Sequence, residues 1–438
     1  MSKSAGAPLL GMLVGCLVGV VAHVQPASAQ ADVSNWLSNV FGNTHGFRNA
    51  NTERDRITEL QARRAENARL DNMIRTTTPW LNRETIAATE MAIDRYRQIV
   101  AAGGWRTIPR TKGAAWMREG ARDERVALLR RRLAMTGDWR GRDVTSWGMD
   151  ATLAEALRRF QMRHGLRPNG VVDSRTLAAL NVPAQERLNT LQVNLVRIRT
   201  FAARVAEAER YVVVNSPSFE LQAVANNVVE LRKKTIVGRA ATQTPTIEAE
   251  IKELNFLPYW RVPDSIARRD LIPAIIKDPD YLKREGIRVL TGWGGEELNP
   301  DFIDWRSEQA RNVKFRQDPG PRNALGVVRV NMPNDQIVYL HDTPMKPLFN
   351  RGFRAFSAGC VRVEEVLDLA EWLARDTEEP WSRARMEAMI ASGVGEDIKL
   401  PKRVPVLFIY LTGWAKGAGE AQFRADIYQR DGTTQLLA

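Results

Sequence analysis

The chain has 438 residues, with 63 Lys and Arg against 51 Asp and Glu for a formal charge of +12, and 44% of its residues are hydrophobic. That length allows two or three domains with their own cores. The basic excess is spread along the chain, which opens with an export-like segment. This combination argues against nucleic acid as a partner and fits an anionic envelope polymer or a simply solvated basic surface.

Residues 1–29 read as a secretory leader. Lys3 supplies the basic end, residues 9–24 are apolar, and Ala27-Ser28-Ala29 is a small-x-small cleavage site. Leu13-Val14-Gly15-Cys16 resembles a lipobox, but the apolar run continues past Cys16, so cleavage after Ala29 is the favoured reading over a lipoprotein or an uncleaved anchor. No later stretch reaches the ~20 apolar residues of a membrane helix. The mature chain is expected to be soluble, or peripheral to a membrane at most.

Residues 30–118 are expected to form a helical scaffold. It would comprise a weak amphipathic helix over 53–75 and a better one over 85–100, with Ile86, Met91, Ile93 and Tyr96 as its buried stripe and Gly103-Gly104 ending it. Residues 119–184 give three helical faces: Val126, Leu129 and Leu133; Leu153, Leu157 and Phe160; Leu177 and Leu180. Asn169-Gly170 is a turn and Asp173 an N-cap. The run from Phe160-Gln161 through His164-Gly165-Leu166 and Asn169-Gly170-Val171 to Thr176-Leu177 resembles the three-helix peptidoglycan-binding domain of cell-wall enzymes. His164, on a helix end, is read as structural.

Residues 185–438 are assigned to one further domain, and its pattern turns to strands near Arg210. Residues 211–215 and 221–224 flank a Ser-Pro-Ser turn as a hairpin, continued by 228–231 and 235–237. Further strands are expected at 326–330, 337–340, 404–411 and 425–428. Residues 263–321 look like an insertion with short helices. A helix over 364–375 buries Val366, Leu369, Ala370 and Leu373.

Two residues carry chemistry. Cys360, in Ser357-Ala358-Gly359-Cys360-Val361-Arg362, is the one cysteine left after loss of the leader, so it cannot be an intramolecular staple. His341, in Tyr339-Leu340-His341-Asp342, lies nineteen residues upstream. An imidazole can activate a thiol, and Gly359 allows close substrate approach and offers an N–H to a developing oxyanion. Tyr339 precedes His341 by two, so both side chains leave one face of an extended strand and Asp342 leaves the other.

Four stretches carry a family likeness: Asn255-Phe256-Leu257-Pro258-Tyr259-Trp260, Arg316-Gln317-Asp318-Pro319-Gly320-Pro321-Arg322-Asn323, Tyr339-Leu340-His341-Asp342-Thr343-Pro344 and Ser357-Ala358-Gly359-Cys360-Val361-Arg362. Together they resemble the YkuD-type L,D-transpeptidase domain, in the large periplasmic subclass with a peptidoglycan-binding domain and a capping insertion. The resemblance implies a multidomain α+β protein with a mostly β catalytic domain and no cofactor or metal. Cys360 would attack the third stem-peptide residue of peptidoglycan, release the terminal D-alanine and form a thioester, with His341 as base. Arg362 would hold a substrate carboxylate or order the site, and Tyr339 would line the cleft. It also implies acylation by carbapenems.

The wider family places a second histidine before Gly-Cys, where this chain has Ala358, leaving His341 as the available imidazole. A backbone carbonyl is expected to orient that ring, and the rate is expected to titrate in the histidine range. The acceptor stays open between a stem peptide, a D-amino acid and the N-terminus of an outer-membrane protein. An L,D-carboxypeptidase with the same residues and a non-catalytic wall-binding scaffold are the alternatives.

Overall fold

The computed structural model describes residues 77–110 and 117–432. The expected leader and the helix over 53–75 lie outside the described residues. The fold is a mixed α+β arrangement, with helices before the sheet.

Helix α1 (Arg83–Ala101) starts at Asn82, whose side chain accepts the Thr85 N–H at 2.8 Å. Its inner stripe is Ala88, Ala92, Ile93, Tyr96 and Ile99. Met91, expected in that stripe, is 53% exposed, because at 3.6 residues per turn it lies off the line through residues 85, 88, 92, 96 and 99. Helices α2 (Arg125–Met135), α3 (Ala151–Arg163) and α4 (Ser174–Asn181) share a core of Val126, Leu129, Leu133, Leu153, Leu157, Phe160, Leu177 and Leu180. Asp150 and Asp173 cap α3 and α4. Helix α5 (Ala184–Arg204) then leads into the sheet.

The strands in chain order are β1 (Arg210–Asn215), β2 (Glu220–Ala225), β3 (Val228–Gly238), β4 (Ile247–Phe256), β5 (Trp260–Arg261), β6 (Ile287–Leu290), β7 (Glu297–Leu298), β8 (Lys314–Gln317), β9 (Val328–Asn331), β10 (Leu340–His341), β11 (Ala355–Ser357), β12 (Val361–Val363), β13 (Asp397–Ile409), β14 (Gly413–Lys416) and β15 (Glu420–Phe423). The main sheet runs β11-β3-β12-β10-β9-β4-β13-β1-β2, and β3 also pairs with β2. The long strand β3 therefore bridges both ends: residues 228–234 pair with β2, and Thr235 and Ile236 pair with β12. The sheet curls back on itself through that strand. Its inner face, with Val212, Leu254, Val328, Val330, Leu340, Val361 and Val363, packs on helix α6 (Val366–Leu373) through Leu369, Ala370 and Leu373.

Several expected strands differ. Residues 337–340 yield strand at Leu340 alone, because the Asn334 side chain accepts from Gln336 and donates to Met332 and Val338 carbonyls, making a turn with Ile337 at φ 53°. Residues 425–428 are also a turn, gathered by Asp426, which accepts from Tyr410 Oη at 2.5 Å and from the Arg430 N–H at 2.9 Å. The hairpin β14–β15, unforeseen in a Gly-rich stretch, lies just before it. The insertion holds short helices and also strands β6, β7 and β8, which with β5 just before it make a four-stranded sheet, β5-β8-β6-β7.

Candidate active site

Strand register builds the site. His341 in β10 lies opposite Arg329 in β9 and opposite Arg362 in β12. Arg329 lies opposite Asn255 in β4, which lies opposite Asp397 in β13. Directly opposed residues share a sheet face. A polar row therefore crosses the sheet as Arg362, His341, Arg329, Asn255 and Asp397, while the alternating valines and leucines turn into the core. Tyr339 is on the same face as His341. Its ring meets the imidazole edge-on at 5.6 Å, and the Arg329 guanidinium lies 5.7 Å from its centre.

Cys360 sits in the tight link between β11 and β12, with Gly359 at φ 128°, a conformation that an L side chain rarely adopts. Hydroxyls tie this link on every side. Ser357 Oγ donates to the Cys360 carbonyl at 2.5 Å and accepts the Gly359 N–H at 3.1 Å. Thr244 Oγ1 donates to the Gly359 carbonyl at 2.7 Å and accepts the Gly238 N–H at 2.8 Å. Thr242 Oγ1 donates to the Ser357 carbonyl at 3.1 Å. The Gly359 N–H, expected to serve an oxyanion, is thus engaged by the local Ser357 hydroxyl. Among the described residues the Cys360 N–H makes no main-chain hydrogen bond, and it bears on its own thiol.

Burial dominates the electrostatics. The thiol keeps some solvent access but sits deep among protein atoms, and burial pushes it up to about 11, against the lowering pull of Tyr339 and Arg362. Burial, aided by the Arg362 charge, takes His341 down to about 3, while the Asp342 main chain opposes this. Burial also lowers Arg362 to about 10, a guanidinium that still stays charged near neutrality. Near pH 7 the pair is accordingly a neutral thiol and a neutral imidazole. That moves the expected titration far below the ordinary histidine range.

Of the orienting expectations, the one for Asp342 holds, since its side chain leaves the face opposite His341. Among the described residues His341 Nδ1 makes no full hydrogen bond, and the main chain that bears on the ring is that of Asp342. The Asp342 carboxylate accepts the Val327 N–H at 3.0 Å and pairs with Lys346, away from the ring. Arg362 Nε is likewise buried without a hydrogen-bond partner, and Arg362 forms no ion pair, among the described residues. No cluster of three or more His, Cys, Asp or Glu suited to a metal ion occurs among the described residues. The roles of Ser357, Thr244 and Arg329 escaped the sequence reading. The alternation Val328-Arg329-Val330, set beside Leu340-His341, was the available signal for Arg329.

Residues 209–387, which contain this whole row apart from Asp397, match the YkuD family, L,D-transpeptidase catalytic domain. The chain carries a YkuD-family L,D-transpeptidase catalytic domain. Residues 122–180 match a family described as "Putative peptidoglycan binding domain". A Haemophilus influenzae protein named "Putative L,D-transpeptidase" is 32% identical over 254 residues, which is 57% of this chain and 50% of that protein. The chain therefore matches about half the length of that relative. Solved L,D-transpeptidases from Xylanimonas cellulosilytica and Stackebrandtia nassauensis share 15% and 13% identity. They cover 68% and 71% of this chain and 100% and 98% of their own, at TM-scores of 0.20 and 0.24.

Proposed function

We propose that this chain cross-links peptidoglycan by L,D-transpeptidation through a Cys360 thioester. The observation that carries the reading is the strand register, which sets His341 on the same sheet face as Arg362 and beside the link that presents Cys360. A neutral imidazole can accept a proton, and a thiol that is not ionised in advance needs a base at the moment of attack.

As Sγ bonds to the carbonyl carbon of the third stem residue, His341 takes the thiol proton. The oxyanion meets the Cys360 N–H, with the Arg362 charge alongside. The bond to the terminal D-alanine breaks, and the imidazolium returns its proton to the leaving amine. An acceptor amine then attacks the thioester, His341 removes the amine proton, the C–S bond breaks and the thiol is restored. Tyr339, whose hydroxyl is raised well above its usual range by burial and by the neighbouring thiol, lines the cleft as an uncharged wall. The helical module at 122–180 would hold the enzyme on the wall, in the periplasm of a Gram-negative-type envelope.

The experiment is incubation of the purified protein with a disaccharide-tetrapeptide and analysis of products by mass. The expected result is a cross-linked dimer, free D-alanine and a transient adduct on Cys360. D-alanine without any cross-link would leave a carboxypeptidase, and no adduct at all would refute the thioester route. A carbapenem should add one drug equivalent to Cys360.

A further inference from the structure

The polar row contains an arginine that the thioester chemistry does not use. Arg329 is half-buried in β9, and its Nε donates to Asn255 Oδ1 at 2.9 Å. Asn255 is itself fixed, donating to Glu253 at 2.5 Å and to Asp397 at 2.7 Å. The two terminal nitrogens of Arg329 make no hydrogen bond or ion pair among the described residues. The nearby carboxylates accept from amides instead, Glu253 from Asn255 and Asn331 and Asp397 from Asn255, so the guanidinium is held from behind and left open in front. Its front faces the Tyr339 ring, and Tyr339 in turn faces Cys360.

Arg329 does not figure among the groups that shift His341 or Cys360, whereas Arg362 shifts both. The two arginines flanking His341 are therefore not equivalent. Arg362 acts on the dyad, and Arg329 sets its charge beside the Tyr339 ring. A planar fork with one edge anchored and the other free suits a carboxylate, which it can grip with two parallel N–H bonds.

Resting on the stem-peptide reading above, we infer that Arg329 binds a substrate carboxylate on the Tyr339 side of the thiol and sets selectivity for free-acid stem peptides. That carboxylate belongs either to the donor's terminal residue or to the acceptor.

The test uses the full protein with stem peptides whose terminal carboxylate is free or carboxamide-capped, on the donor in one arm and on the acceptor in the other. Cys360 thioester formation and its transfer to amine are followed by intact mass. Wild type should prefer the free acid by about 10–100-fold in kcat/KM in one arm, the range of a charge-assisted hydrogen bond. Arg329→Gln should reduce that preference to within a few-fold, with an unchanged pH profile, and Arg329→Lys should keep part of it. Slowing of acid and amide substrates by the same factor would overturn the inference, because a residue that merely props Tyr339 is blind to the substrate's charge. If Arg329→Gln does not fold, Asn255→Ala, which frees the fork, should erode the preference, and a full preference in both Asn255→Ala and Arg329→Lys overturns it too. A wild type that forms no thioester from any stem peptide brings down the functional reading and this inference together. Failure in the Arg329 variants alone brings down only the latter.

Discussion

The joint around His164 and the polar row around His341 use the same ingredients to opposite ends. Each buries a histidine beside an arginine, and burial pushes both imidazoles far down, with Arg163 adding to the effect on His164 and Arg362 on His341. In the joint, Arg163 is clamped by Asp138 at 2.5 Å and donates to the Ala421 carbonyl at 2.9 Å. His164 bonds the Phe160 carbonyl at 2.7 Å and stacks against Phe160 and Phe423 at 3.8 and 5.4 Å. Around His341, among the described residues, Arg362 has no acid, His341 Nδ1 makes no full hydrogen bond, and a thiol stands nearby. A perturbed titratable group is thus no mark of function by itself. What separates the two regions is the charge left without a counter-charge next to a nucleophile.

Substitutions should divide along that line. Cys360→Ala should abolish the covalent adduct with stem peptide or carbapenem while leaving the melting temperature and wall binding in place, checked by intact mass and by sedimentation with isolated sacculi. His341→Gln should slow both acylation and transfer by ~10²–10⁴-fold, measured separately, with the fold retained. If both steps stay within a factor of a few, the dyad is wrong.

The joint should respond in stability instead. Asp138→Ala strands the buried Arg163 charge and should cost about 3–5 kcal/mol in denaturant titration, with the acylation rate of the folded fraction unaltered. Between these extremes lies the frame of the Cys360 link. Thr244→Val leaves the Gly238 N–H and the Gly359 carbonyl without their shared hydroxyl, and should cost about 1–3 kcal/mol and slow acylation as well.

Acid should find both regions. His164 and His341 titrate below the ordinary histidine value when folded and near 6.5 when unfolded, so the unfolded chain binds more protons as pH falls. Their contribution to stability is present above about pH 6.5 and is lost as pH drops toward the folded values, about 3 for His341. Melting temperature against pH should therefore fall less steeply below pH 6.5 in His164→Gln than in wild type. Parallel curves would mean that His164 takes no part.

The legible part of the molecule was the part governed by local pattern. The helical faces of the 122–180 module, the β1–β2 hairpin and the helix behind Cys360 follow from periodicity and turn residues. The row through His341 follows from register, which brings together Arg329, His341 and Arg362 from three strands, and no local pattern fixes which residues will face each other. Short strands such as β14 and β15 fell below what alternation can reveal. The capture of the Gly359 N–H by Ser357 depends on a hydroxyl rotamer in a tight link, a detail of packing and not of composition. The lowered His341 value likewise comes from depth in the fold.

The central claim is that a neutral thiol is deprotonated by a neutral, deeply buried imidazole during attack. The pH dependence of wild-type Cys360 acylation, followed by rapid quench and intact mass from pH 4.5 to 9, tests it most directly. The values near 3 and 11 predict a rate nearly flat across that window, with His341→Gln lower throughout. A rate that climbs through an apparent pKa near 6.5 would contradict the buried, neutral dyad.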